Sequence, residues 1–91
     1  MDEINNSKVY VTAKVEFRSD GQMRPRALIW EDGIEYEIDR VVDVRPGYAA
    51  KAGGQGDRYT IVVNGCRTYL FFERSAKLTG DVIGRWFVER K

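Results

Sequence analysis

Four residues of one short hairpin carry the chemistry that this chain most plainly offers: Arg58, Arg67, Tyr69 and Phe71. They lie in the runs Arg58–Val63 and Cys66–Glu73, which flank Asn64-Gly65, a dipeptide that readily takes the positive φ of a type I′ turn. Pairing outward from a two-residue turn puts Tyr59, Ile61, Val63, Cys66, Thr68, Leu70 and Phe72 on one face. Arg58, Thr60, Val62, Arg67, Tyr69 and Phe71 fall on the other. Guanidinium groups follow phosphates and aromatic faces stack on unpaired bases, so the second face has the composition that a single-stranded nucleic acid requires. Arg85 and Phe87 share a parity on the last strand and extend the pattern. The competing reading is that Tyr69 and Phe71 are covered, with arginine stems packed over them, because a small β domain commonly uses both faces of its sheet for burial.

The remaining candidates point away from catalysis. Trp30 falls on a polar face beside Glu35, which makes Trp30, Glu35 and Glu37 a candidate surface for a protein partner or for self-association. Trp30 as the cover of a barrel end is the alternative. Glu35 and Glu37 share a strand face, as paired catalytic carboxylates would, but a convex polar hairpin gives them no cleft, and they read as surface charge. Cys66 is the only cysteine and there is no histidine, so the chain has no internal disulfide, no activated thiolate and no zinc ligand set. Cys66 is expected as a small buried core thiol. The run Lys51–Gly56 could offer backbone N–H groups to a phosphate, yet it lacks both the Gly-Lys-Ser/Thr ending and the following helix of a P-loop. The expectation is a non-enzymatic module without metal or cofactor.

The elements that must position these residues are strands. Lys8–Arg18 alternates with period two, Val9, Val11, Ala13, Val15 and Phe17 on one side, as a half-buried strand does. Turn chemistry at Ser19–Gln22 leads past Pro25, which suits a strand end or edge, to a second strand near Arg26–Trp30. Asp32-Gly33 then signals a hairpin returning as Ile34–Arg45. A two-residue turn there pairs Trp30 with Glu35 and Arg26 with Asp39, placing Ala27, Ile29, Tyr36 and Ile38 on an apolar face. Pro46–Asp57, with four glycines, is a long loop or a short helical turn. A polar stretch at Arg74–Asp81 precedes a last strand at about Ile83–Arg90, rich in β-formers. Six antiparallel strands and no amphipathic helix predict an all-β meander, rolled into a small barrel or two packed sheets.

Charge is distributed unevenly. The net charge of the 91 residues is +1, but residues 1–45 hold seven basic and ten acidic side chains and residues 46–91 eight basic and four acidic. Within Glu31–Asp43 there are six acids against Arg40 alone. A dipolar surface of this kind steers partners or favours head-to-tail association, unless the signs simply compensate on a solvated exterior. The length fits one domain, expected over residues 8–91 after a disordered tail at 1–7. No apolar run approaches a bilayer span and the start is acidic, so a cytoplasmic, non-membrane protein is expected.

The order of residues resembles that of small uncharacterised bacterial β-domain proteins. Pro25 through Trp30, Gly33, Tyr36, Ile38, Arg58-Tyr59-Thr60, Gly65, Tyr69-Leu70 and Arg85-Trp86-Phe87-Val88-Glu89 carry the resemblance. Some of those proteins are similar to an actinobacterial domain of unknown function associated with genes for translesion DNA polymerases. The resemblance covers about residues 24–90 and implies a bacterial cytoplasmic protein with DNA-related partners. It supplies no catalytic residue.

Overall fold

A computed structural model describes residues 8–46, 56–74 and 83–89. They form seven strands: β1 (Lys8–Phe17), β2 (Met23–Ile29), β3 (Glu35–Glu37), β4 (Arg40–Pro46), β5 (Gly56–Val63), β6 (Cys66–Arg74) and β7 (Gly84–Glu89). All are antiparallel in one curled half-barrel sheet of order β3-β2-β1-β7-β6-β5-β4. The expected all-β class is observed, and no helix occurs among the described residues. The expected tail at 1–7, the glycine-rich segment at 47–55 and the polar stretch at 75–82 lie outside them.

Seven strands replace the expected six because the third one breaks at Ile38-Asp39. The Ile38 N–H donates to the Arg26 carbonyl on β2 at 2.9 Å, and the next N–H, of Asp39, donates to the Val62 carbonyl on β5 at 2.7 Å. Two successive amides thus bond to strands from opposite ends of the sheet. β3 and β4, its two edge strands, are consecutive in the chain, and this corner pins the curl.

The inner face collects Val9, Leu28, Ile38, Tyr59, Ile61, Leu70, Phe72, Trp86 and Val88 as a buried cluster. Burying each large apolar side chain contributes about 1.5–3 kcal/mol, which a disulfide-free domain of this size needs. Trp86 lies between Tyr59 and Phe72, with ring centroids 5.2 and 4.9 Å away. Gly84 opens β7 because a Cβ there would stand 2.5 Å from the Glu73 carbonyl oxygen and 2.6 Å from the Phe72 ring. Only a residue without a side chain lets that ring cross so closely.

The two hairpins differ in how their turns set register. β5 and β6 pair from Val63 opposite Cys66 to Gly56 opposite Glu73, as the sequence predicts, with Asn64 at φ 52° and Gly65 at φ 78°. β2 and β3 are shifted by one residue from the expected pairing: Ile29 opposes Glu35, Leu28 opposes Tyr36, and Ala27 opposes Glu37. The loop has three residues, not two. The Gly33 N–H donates to the Trp30 carbonyl at 2.8 Å, the Trp30 N–H donates to the Ile34 carbonyl at 2.9 Å, and Gly33 takes φ 87°. The Ile34 N–H donates to Asp32 Oδ1 at 2.9 Å and tightens the loop. A slip of one residue exchanges faces, so Leu28, not Ile29, enters the core cluster. The expected Arg26–Asp39 pair does not form; Arg26 bridges Glu16 at 3.1 Å.

Candidate nucleic-acid interface

Arg58, Arg67, Tyr69 and Phe71 do share the outward face of β5 and β6. The Arg58 guanidinium lies 4.6 Å from the centroid of the Tyr69 ring, and Tyr69 is 47% exposed. Arg67 is exposed at the end of the same face. Phe71 is different: it is 5% exposed, and its ring stacks on Phe87, itself 0% exposed, with centroids 5.0 Å apart and planes 8° apart. Both faces of the sheet therefore bury aromatic side chains, and Phe71 supports Tyr69 from below, its ring centroid 6.4 Å away. It offers no free surface to a base.

Arg85 belongs to a separate part of the face, where an acid engages it. Its guanidinium sits 4.1 Å from the Tyr10 ring centroid and 3.8 Å from Glu73. Glu73 also accepts from Lys8 Nζ at 3.0 Å and from the Tyr10 hydroxyl at 2.9 Å. Desolvation pushes the Glu73 carboxyl up, but the hydrogen bonds from Lys8 and Tyr10 and the charges of Lys8 and Arg85 outweigh it and hold the group below its ordinary value. Lys8 is its mirror image: desolvation pulls the ammonium down, while the Glu73 and Tyr10 contacts carry it above its ordinary value. One acid thus occupies three cationic or hydroxyl groups, and the buried Phe71–Phe87 pair stands between this cluster and Arg58.

Sequence reading missed two arginines on the other side. Arg40 opposes Val62 and Arg45 opposes Arg58, so both point outward. Five residues apart, they would face opposite ways in a regular strand. The ladder steps from Val41–Ile61 to Asp43–Thr60, leaving Val42 as the extra residue of a bulge, and that insertion restores their common face. Only the bulge, not any motif, could have revealed them. The outward face of β4, β5 and β6 now reads in rows: Arg40, Val62 and Arg67; then Asp43, Thr60 and Tyr69; then Arg45, Arg58 and Phe71. Asp43 approaches Arg45 at 3.6 Å. Its Oδ1 and the Arg58 Nε are buried without a protein partner, leaving hydrogen-bonding capacity on this face unused.

The acidic hairpin is organised otherwise. Trp30 is partly buried and packs against the core; the register slip carries it off the polar face expected for it. Glu35 bridges Lys14 at 3.0 Å, and Glu37 is exposed opposite Ala27. Cys66 is exposed, not a core thiol, because the tip of the β5–β6 hairpin carries Cys66 and Thr68 past the described core. A cleft of about 500 Å³ lies where β2 and β4 diverge, floored by Met23, Val41, Val44, Tyr59 and Phe72. The charged pair at its rim, Arg74 and Asp57, is satisfied internally at 3.2 Å.

Among the described residues, no group of three or more Cys, Asp or Glu side chains is disposed to hold a metal ion, and no helix is long and apolar enough to cross a membrane. No family model, curated protein or solved structure matches the chain.

Proposed function

We propose that the outward face of β4, β5 and β6 binds single-stranded nucleic acid, without catalysis and in a cytoplasmic setting. The observation that carries this reading is the Val42 bulge, which adds Arg40 and Arg45 to the face of Arg58, Arg67 and Tyr69. Like charges placed directly opposite, as Arg45 and Arg58 are, cost stability. A bound phosphate reverses that cost. Tyr69, half exposed beside a guanidinium, gives an unpaired base a ring to stack on. A protein partner at Trp30, Glu35 and Glu37 is less well supported, because Trp30 packs against the core and Glu35 has a lysine partner.

Titration of a labelled oligothymidylate at low and at moderate salt tests the reading. Binding is expected to weaken steeply with salt as phosphate contacts release counterions, and to be weaker for the matching duplex. Absence of binding even at low salt refutes it.

A further inference from the structure

We infer that this face reads a short single strand in a fixed order: a phosphate at one arginine row, unstacked bases over Tyr69, then a second phosphate at the other row. The inference rests on the single-strand reading above and adds to it the length and layout of the ligand. The two arginine rows are separated on β5 by the four residues from Val62 to Arg58, about 13 Å at some 3.3 Å per residue. A stacked strand rises about 3.4 Å per nucleotide, so the rows span at most about four nucleotides. The middle row is not basic. It presents Tyr69, with Thr60 buried beside it and Asp43 at its edge.

Asp43 repels a phosphate from that row, while Tyr69 offers an uncharged ring. The favoured occupant of the middle is therefore a base or two turned out of the stack, with the phosphates beyond them on Arg40 and Arg67 at one end and on Arg45 and Arg58 at the other. A paired base cannot present its face in this way, so the arrangement excludes a duplex. Along the Arg58 row the aromatic pair Phe71 and Phe87 on β6 and β7 is buried, and next to it Arg85 is engaged by Glu73. The track of arginines on this face therefore ends there among the described residues, with Arg45 shared between Asp43 and the ligand.

Labelled oligothymidylates of roughly two to eight nucleotides, measured at low salt, test the layout. Affinity is expected to rise steeply up to about four nucleotides and then level off, apart from the statistical gain of longer chains. A four-nucleotide oligomer with abasic sites at its inner positions is expected to bind about tenfold more weakly than the intact one. Tyr69→Ala should abolish that difference and Tyr69→Phe should keep it, with a thermal melt of each variant confirming the fold. Asp43→Asn should strengthen binding of inorganic tripolyphosphate, which has no base, more than binding of the oligomer. If intact and abasic oligomers bind alike, or affinity climbs with length without a break, the layout is overturned and single-strand binding survives. If no oligomer binds at low salt, both readings fall.

Discussion

The β2–β3 hairpin and the β5–β6 hairpin are built from similar material and end in opposite states. Each carries charged residues on its outward face and an aromatic residue that sequence alone places among them. In the acidic hairpin the charges find partners on neighbouring strands, Glu35 with Lys14 and Arg26 with Glu16, and the aromatic, Trp30, packs inward. In the basic hairpin the arginines gain further arginines from β4, and Tyr69 stays half exposed. The first region spends its side chains on holding the sheet together. The second leaves positive charge and ring surface available, and that contrast supports the proposed interface better than the count of charges does. The contrast also runs within the basic face: among the described residues Glu73 engages both Lys8 and Arg85 at the β1–β7 side, whereas Asp43 alone faces the four arginines at the β4 side.

Substituting the two aromatics tests the comparison most strongly. Trp30→Ala removes a partly buried ring from the core and is expected to cost about 2–3 kcal/mol in a denaturant melt while leaving oligonucleotide affinity unchanged. Tyr69→Ala should do the reverse, lowering affinity about tenfold, or roughly 1.4 kcal/mol, with little change in the melting temperature. If Trp30→Ala weakened binding as much as Tyr69→Ala, the division of labour between the hairpins would be wrong.

Smaller effects come from the charges. Glu73→Gln should cost about 1 kcal/mol at neutral pH, given that the cluster is partly solvated. The carboxyl is held below its ordinary value, so its contribution is present above the unfolded-state value, near 4.3, and is lost as pH falls through the folded one. Lys8, raised above its ordinary value, contributes fully below the unfolded-state value near 10.4 and loses that contribution as pH rises through the folded one. Melts across acid pH should therefore show wild type and Glu73→Gln converging at the acid end; parallel curves would deny the cluster its role. The smallest effect belongs to the exposed Lys14–Glu35 bridge. A double-mutant cycle there should give a coupling of about 0.5 kcal/mol or less, vanishing in high salt, and a larger value would mean that the acidic hairpin depends on its charges more than on Trp30.

Much of the fold is legible in the residues. Period-two alternation marks β1, and Asn64-Gly65 sets every pair of the β5–β6 ladder, because a dipeptide that takes positive φ twice leaves one choice of register. Asp32-Gly33 is a weaker instruction. A single glycine in the left-handed region serves a three-residue loop as well as a two-residue one, and the three-residue loop is the one that puts Leu28 in the core cluster. The Cys66 reading failed because alternation says which face a residue takes and not whether the opposite layer reaches it.

The candidate site divides in the same way. That Arg58, Arg67, Tyr69 and Phe71 share a face follows from local backbone geometry, which a turn and a period of two determine. Whether each is available does not follow. Phe71 is buried by Phe87, and Arg85 is claimed by Glu73 and Tyr10, through contacts between strands far apart in sequence. Arg40 and Arg45 join the site only because a bulge at Val42 shifts the ladder by one residue, and a bulge exists only in relation to the strand beside it. Sequence by itself determined the alternation, the turn and the chemical types on each strand, since these depend on neighbours along the chain. Tertiary structure decided which charges are neutralised and which rings are covered, since those depend on what another strand brings within a few ångströms.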